Sequence, residues 1–189
     1  MRQYGVIAVL DGTHYRLVQS IWDEIERACG PRSPVPHPYP HFTFQTAERY
    51  DLPRLDETLR RLAAQSTPFR VATTGLAIFN HGTGVYIGVG RSPRLDRFHN
   101  VIWPEVTRAA LATPHEERAI DHWVPHITLA LGPRIRPQIP RIVEMLYQRN
   151  LRWDIEINNL TVVYEDETHK ELIFRHDFPH ATDRPPALA

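Results

Sequence analysis

Two short segments of the chain alternate polar and apolar residues in the same order, His-Phe-Thr-Phe at 41–44 and His-Ile-Thr-Leu at 126–129. Successive side chains of a β-strand point to opposite faces of the sheet. The pattern therefore predicts two strands in which His and Thr share one face and the apolar residues share the other. We expect the apolar face to pack on a core and the His/Thr face to line a groove. A proline precedes each motif histidine, which suits the first residue of a strand, where a missing N–H costs least.

Elsewhere the chain switches between helical and strand periodicity, with Gly, Pro and Asn marking the breaks. The apolar spacing predicts helices at 14–29, 52–64, 93–111 and 140–150. It predicts strands at 4–10, 41–45, 69–79, 84–89, 126–131, 151–157, 160–165 and 172–178, with a hairpin turn at 80–82.

The order of these elements predicts the architecture. Frequent hairpins favour an α+β fold with two pseudo-symmetric lobes of mainly antiparallel sheet. Helices would lie outside, and both His-x-Thr motifs would face a central groove. We expect one bilobal domain over residues 1–178 and a flexible, Pro-rich tail over residues 179–189.

Composition narrows the range of partners. The chain has 189 residues, and its 22 basic and 22 acidic residues leave no net charge. A protein that grips long duplex nucleic acid usually has a basic excess, so a small substrate or a nucleic-acid terminus is favoured. No apolar run reaches the roughly 20 residues of a membrane span, and the N-terminus has the pattern of a strand rather than of a signal peptide. We therefore expect a cytoplasmic protein without a membrane partner, and we expect a monomer.

The two segments belong to longer repeats, His-Pro-Tyr-Pro-His-Phe-Thr-Phe at 37–44 and His-Trp-Val-Pro-His-Ile-Thr-Leu at 122–129. The repetition suggests two similar half-domains that each deliver one His and one Thr. A pair of imidazoles facing each other across a cleft is the arrangement that acid–base chemistry on a phosphodiester requires. We interpret the chain as an enzyme on this basis.

The signature His-x-[Thr/Ser] is matched at 41–43 and 126–128, and Pro125 and the Leu-Ala pair at 129–130 match the usual context of the second copy. In these residues the chain resembles the 2H phosphoesterase superfamily, and within it the bacterial 2′-5′ RNA ligase and cyclic nucleotide phosphodiesterase branch. The resemblance covers most of the chain. It implies hydrolysis of a 2′,3′-cyclic phosphate, or of a related small cyclic phosphodiester, without a metal or a cofactor.

The resemblance also assigns roles to four residues. His41 and His126 would act as general acid and base, and Thr43 and Thr128 would donate hydrogen bonds to the nonbridging phosphate oxygens. We favour His126 as the base and His41 as the acid, but the near symmetry of the two halves leaves this assignment open. The substrate would be a nucleotide, an RNA terminus or a sugar cyclic phosphate.

Two departures from the family pattern concern the residues after the motifs. RNA ligase-like members often carry an Arg shortly after the second motif, where it helps to hold phosphate. Here Leu131 occupies that position, and Arg134 lies further along the chain. The first motif is usually followed by an apolar run, whereas Gln-Thr-Ala-Glu at 45–48 is mostly polar. These departures weigh more against RNA as the substrate than against phosphoester chemistry.

Two alternative functions stay open. One is a non-catalytic binding module for nucleotides or RNA ends, although such a module has no need for both intact motifs. The other is 2′-5′ RNA ligation, which runs the same machinery in reverse and is not separable from hydrolysis by sequence.

Further candidates for substrate binding lie near the motifs. His37 and His122 each stand four residues before a motif histidine, in Pro-bearing loops that could overhang the groove. Tyr86 is a candidate platform for a nucleobase and Arg134 for a phosphate contact. Two further candidates of these kinds are Tyr164 and Arg91. For each of these six, the ordinary interpretation as a strand, loop or surface residue is favoured over a ligand contact.

The His-x3-His spacing that begins each repeat raises the question of a metal site, since on a helix it places two ligands on one face. Pro40 and Pro125 break any helix directly before the second His, and no Glu stands in the metalloprotease position. We therefore expect no metal. The acidic segment 165–167 is interpreted as a solvated turn.

Overall fold

The computed structural model describes residues 2–34, 36–79 and 83–179. Within these ranges the strands and helices follow one another in the order that the apolar pattern predicts. The helices are α1 (Gly12–Cys29), α2 (Leu52–Gln65), α3 (Pro93–Thr107) and α4 (Ile139–Leu146). The strands are β1 (Gln3–Val9), β2 (His41–Ala47), β3 (Phe69–Ile78), β4 (Gly84–Val89), β5 (His126–Leu131), β6 (Asp154–Ile157), β7 (Asn159–Glu165) and β8 (Lys170–Asp177). The predicted turn at 80–82 and residues 180–189 of the predicted tail lie outside the described residues.

The strands form two antiparallel four-stranded sheets, with the orders β2-β1-β7-β8 and β5-β4-β3-β6. The two sheets are built alike: each motif strand is an edge strand, β2 paired with β1 and β5 paired with β4. The predicted α+β class, with two pseudo-symmetric lobes of antiparallel sheet, is confirmed.

The two lobes do not coincide with the two halves of the chain. β7 and β8 come last in sequence but belong to the first sheet, where β7 pairs with β1 and places Val163 opposite Gly5. The second sheet is completed instead by β6, which pairs with β3. The repeat in the sequence could not reveal this exchange, because the apolar pattern of a strand does not select its partner.

A β-bulge interrupts each motif strand just after its Thr. The register between β1 and β2 skips Phe44, and the register between β4 and β5 skips Leu129. Each strand therefore buries two residues in succession before the alternation resumes. As a result Thr46 and Leu131 also face the groove, together with the motif residues.

Each of two helices crosses to the opposite sheet. The helix α1 follows β1 but packs on β5, and α3 follows β4 but packs on β2. The Asp11 side chain caps α1 by accepting hydrogen bonds from the Thr13 and His14 N–H groups. The crossing interlocks the lobes, because each sheet is covered partly by a helix whose preceding strand lies in the other.

The helix predicted at 93–111 is too long, since α3 ends at Thr107. The residues that follow pair with the segment before α2: the Leu111 N–H donates to the Arg49 carbonyl and the Asp51 N–H to the Ala109 carbonyl, both at 2.9 Å. Pairing at a distance along the chain thus overrides a local helical pattern. No helix in the described part of the chain is long and apolar enough to cross a membrane.

Candidate active site

The motif strands β2 and β5 face each other across a groove. Its cavity, of about 210 Å³, is lined by both motif histidines and both motif threonines, His41, Thr43, His126 and Thr128. Within each strand the residues between them, Phe42 and Ile127 among others, are fully buried in the core. The predicted division into a groove face and a core face is therefore present in both strands.

The two histidines are held in the same way. His41 Nδ1 lies 2.6 Å from the Tyr39 carbonyl oxygen, and His126 Nδ1 lies 2.7 Å from the Val124 carbonyl oxygen. A carbonyl oxygen only accepts, so in each ring Nδ1 carries the hydrogen and Nε2 has the free lone pair when the ring is neutral. In both cases the bond spans a proline, which fixes the backbone before the strand.

The prolines are themselves anchored to the neighbouring strand by matched bonds. The Leu10 N–H donates to the Pro40 carbonyl (3.0 Å), and the Val89 N–H donates to the Pro125 carbonyl (2.9 Å). Each histidine therefore starts its strand from a backbone held by the next strand of the same sheet.

The motif threonines are supported by a pair of tryptophans. The Trp123 indole N–H donates to the Thr43 carbonyl at 2.8 Å, and the Trp22 indole N–H donates to the Thr128 carbonyl at 3.1 Å. Each bond joins one motif strand to a residue that lies outside its own sheet. The tryptophans thus tie the two sides of the groove together.

Burial lowers the pKa of His41 to about 4 and the pKa of His126 to about 4. The positive charge of Arg118 lowers the pKa of both rings further, and it is the second largest influence on His126. Glu165 acts in the opposite sense on His41. Both imidazoles are therefore neutral at pH 7 in the free protein.

The end of the groove beside His41 is polar. The His37 ring lies 4.1 Å from the His41 ring, centroid to centroid, so the predicted overhang of His37 is present. Lys170 Nζ ion-pairs with Glu165 at 2.7 Å, and Gln3 Nε2 donates to the same carboxylate. The interpretation of 165–167 as a solvated turn is wrong for Glu165, because this residue closes β7 and lines the groove.

The end beside His126 is aromatic. The ring centroids of Phe79 and Tyr86 lie 4.9 and 5.1 Å from that of His126, and 4.4 Å from each other. They line a second cavity of about 610 Å³ together with the exposed His122. Two of the predicted substrate-binding residues, Tyr86 and His122, are therefore next to the motif histidine.

The remaining predicted residues are elsewhere. Arg134 lines a neighbouring cavity beside Pro31 and Pro34, which adjoins the groove at Leu131. Arg91 pairs with Asp96 at 2.7 Å. Tyr164 packs on Tyr4, with ring centroids 5.0 Å apart, and donates a hydrogen bond to Asp166. None of these three lines either cavity at the motif histidines.

Sequence reasoning missed three basic residues in the groove, Arg32, Arg118 and Lys170. Arg118 ends a short 3₁₀ turn (Glu116–Arg118) in the long connection before β5, where no periodic pattern marks a functional position. Lys170 has a compositional signal, since it is the only lysine in a chain that otherwise uses arginine. In the described part of the chain, no three His, Cys, Asp or Glu residues are grouped so that they could hold a metal ion.

A family model for the 2′-5′ RNA ligase superfamily matches residues 14–169. The chain therefore belongs to this superfamily, as its two motifs predict. No curated protein matches the chain.

Solved structures match over nearly its whole length. TT0787 of Thermus thermophilus has a TM-score of 0.61 at 18% identity and covers 96% of this chain and 100% of its own. LigT of E. coli complexed with 3′-AMP has a TM-score of 0.58 at 13% identity and covers 94% of this chain and 98% of its own. At such identities the likeness establishes the fold.

Proposed function

We propose that this protein is a two-histidine phosphoesterase that hydrolyses a 2′,3′-cyclic phosphate, on a nucleotide or at an RNA end, or a related small cyclic phosphodiester. The observation that supports this most strongly is the matched tethering of His41 and His126. It leaves Nε2 of each ring for chemistry in one shared cavity. Opening a cyclic phosphodiester needs one base and one acid, and two imidazoles supply both without a metal.

The proposed reaction transfers two protons. A neutral imidazole takes a proton from water as the water oxygen attacks phosphorus. The bond from phosphorus to the 2′ or 3′ oxygen breaks, and the protonated imidazole gives its proton to that oxygen. The product is a phosphate monoester with a free neighbouring hydroxyl, and the two rings have exchanged protonation states. We favour His126 as the base and His41 as the acid.

A substrate anion is part of this scheme, because both rings are neutral at pH 7 in the free protein. A negative charge placed between them raises the pKa of both. The first ring to take up a proton becomes the acid, and the other remains the base. The hydroxyls of Thr43 and Thr128, at matching positions after the histidines, would donate to the nonbridging oxygens as negative charge develops there.

The aromatic end of the groove supports a nucleotide rather than a sugar phosphate. Phe79 and Tyr86 offer the flat surface on which a base stacks. Among the structures that share this fold, LigT of E. coli has been solved with 3′-AMP, ATP and NADP+. With the phosphate between the motif histidines, a base beside His126 would lie over these rings.

The test is hydrolysis of a panel of 2′,3′-cyclic nucleotides in excess EDTA, with wild type, His41→Ala and His126→Ala. We expect wild-type turnover to survive EDTA and to fall by about 10²–10⁴ in each variant. Turnover that EDTA abolishes would contradict the proposal. So would binding without turnover that both variants retain, which would indicate a binding module. Joining of a cyclic phosphate end to a 5′-hydroxyl RNA end would indicate ligation.

A second substrate separates acid from base. A 2′-deoxynucleoside 3′-(p-nitrophenyl phosphate) has no 2′-hydroxyl to attack phosphorus, so water must attack as in the proposed reaction, and its leaving group needs no protonation. The variant that lacks the acid should recover most of its rate on this substrate, and the variant that lacks the base should not. We expect recovery in His41→Ala. Recovery in His126→Ala instead would reverse the assignment and keep the proposed reaction.

A further inference from the structure

Among the described residues, the groove around the motif histidines has three basic side chains, and two of them are already engaged. Lys170 is paired with Glu165. The Arg32 guanidinium lies 3.7 Å from the centre of the Trp22 ring, and Arg32 also donates to the His37 carbonyl at 2.8 Å. Both groups bind other residues in the walls of the groove, so neither positive charge is available to a ligand.

Arg118 is different. Its Nε is buried, and no described residue hydrogen-bonds to it. Burial lowers the pKa of this guanidinium, while Glu117 and Glu165 act on it only through their charge. A buried cation without a bonded partner is costly unless something pairs with it. Arg118 lies in the wall shared by both cavities, beside His126 and Thr128. A partner for its charge would therefore be an anionic ligand in the groove.

The loop that carries Arg118 is fixed to the opposite motif strand. The His115 N–H donates to the Thr46 carbonyl at 2.9 Å, and His115 Nδ1 lies 3.1 Å from Thr46 Oγ1. The Arg118 N–H then donates to the His115 carbonyl at 3.1 Å. Arg118 is therefore held against β2 although its loop leads into β5, and this sets its side chain between the two lobes.

A phosphodiester carries a negative charge at pH 7, and the four motif side chains carry none. Leu131, which also faces the groove, is uncharged. We propose that Arg118 binds the phosphate in the groove, with the planar fork of its guanidinium paired to two phosphate oxygens between His41 and His126. This inference rests on the proposed function, and it names the residue that would attract and orient the substrate.

The same contact links binding to protonation. The Arg118 charge lowers the pKa of His126. A phosphate paired with Arg118 offsets that charge and adds its own, so the imidazoles gain a proton as the anion binds. Arg118 would thus keep the imidazoles neutral until the anion arrives, so that their protonation depends on substrate binding.

The test measures binding of inorganic phosphate to the full chain at pH 7 by calorimetry, in wild type, Arg118→Gln, Arg118→Lys and Arg134→Gln. Arg118→Gln should bind phosphate about tenfold more weakly or worse, and Arg118→Lys should lie between it and wild type, since a charge remains without the fork. Arg134→Gln should bind as wild type does, because Arg134 does not line the cavity at the motif histidines. Unchanged binding in Arg118→Gln, or a larger loss in Arg134→Gln, would overturn the inference.

A titration of the histidine imidazoles by NMR gives a readout that a purely structural arginine would not change. Arg118→Gln should raise the pKa of His126, and phosphate should raise it in wild type much more than in the variant. If Arg118→Gln does not fold, Arg118→Lys carries the test, and phosphate affinity equal to wild type would then count against the inference. Phosphate binding that depends on Arg118, in a protein that turns over no cyclic nucleotide, would support this inference and reject the proposed function.

Discussion

The two ends of the groove share one backbone design and differ in their side chains. Beside His41 lie a second imidazole and the Glu165–Lys170 ion pair, whereas beside His126 lie Phe79 and Tyr86. The motif His and Thr side chains at the centre are the same on both sides, and so are the carbonyl tethers of the two histidines. The contrast shows that the repeated strands supply the matched His and Thr side chains, while residues outside those two strands make the ends unequal. A substrate with one apolar end and one charged end would bind such a groove in a single orientation.

Removing one motif hydroxyl breaks the symmetric centre while leaving both histidines in place. Thr43→Val and Thr128→Val preserve shape, so we expect each to fold and to lose about 10²–10³ in kcat on a cyclic nucleotide, the usual loss for one donor to a developing anion. Steady-state kinetics on both variants tests whether the two sides contribute equally. Thr74→Val, at an exposed position outside the groove, is the control. Wild-type kcat in either motif variant would remove that threonine from the mechanism.

His99 lies beneath the first motif strand, and we expect its protonation to affect the stability of the protein. It is fully buried, its Nε2–H donates to the Phe44 carbonyl at 3.1 Å, and its ring stacks on Trp123. Burial lowers its pKa to about 4. As the pH falls below 6.5, the His99 imidazole becomes protonated in the unfolded chain, whereas in the folded protein it stays neutral until about pH 4. The free energy of unfolding therefore decreases as the pH falls through this range.

We expect this histidine alone to lower the free energy of unfolding by about 2 kcal/mol between pH 7 and pH 5. His99→Gln keeps a donor for the carbonyl and removes the titration, so it should shrink the pH dependence by that amount. Urea unfolding of both proteins at the two pH values measures it. An identical pH dependence in the variant would show that the pKa of His99 is not lower in the folded protein than in the unfolded chain.

The role of the aromatic end in binding is tested by Tyr86→Ala, which removes one of the two aromatic rings beside His126. We expect KM for a cyclic nucleotide to rise about tenfold or more while kcat changes little, in line with the loss of one stacking contact. Tyr164→Ala is the matched control, because this tyrosine packs on Tyr4 outside both cavities. A rise in KM in the control and not in Tyr86→Ala would move the base to a different surface.

The smallest expected effect concerns the tryptophans that support the threonines. Trp22→Phe and Trp123→Phe each delete one indole hydrogen bond to a motif carbonyl, so each should lower the free energy of unfolding by about 1 kcal/mol. The two losses should be similar if the supports are as symmetric as their geometry. Denaturant midpoints of both variants test this. A loss confined to one of them would show that only one side of the groove depends on its tryptophan.

Much of the centre could be predicted from the sequence, because strand alternation is local. The order His, apolar, Thr, apolar is enough to place His41 and Thr43 on one face, whatever else the chain does. The same local argument identifies His37 and His122, because each stands four residues before a motif histidine. It also identifies Tyr86, because this residue lies in the strand that pairs with the second motif strand.

The rest depends on pairings between distant segments. Glu165 reaches the groove only because β7 lies beside β1, and Lys170 follows it through the next turn. Arg118 is placed by hydrogen bonds between its loop and β2, which no local pattern encodes. Charged residues in loops look alike in a sequence, so the exposed Arg134 and the half-buried Arg118 could not be told apart there.

The return of β7 and β8 to the first sheet has a consequence for how the protein is made. During synthesis, β1 and β2 leave the ribosome well before β7, the strand that completes the pairing of β1. Until then β1 has one open edge, and the carboxylate that closes the polar end of the groove does not exist. The nascent chain thus has both histidines long before it has a finished site, and the two lobes can mature only together.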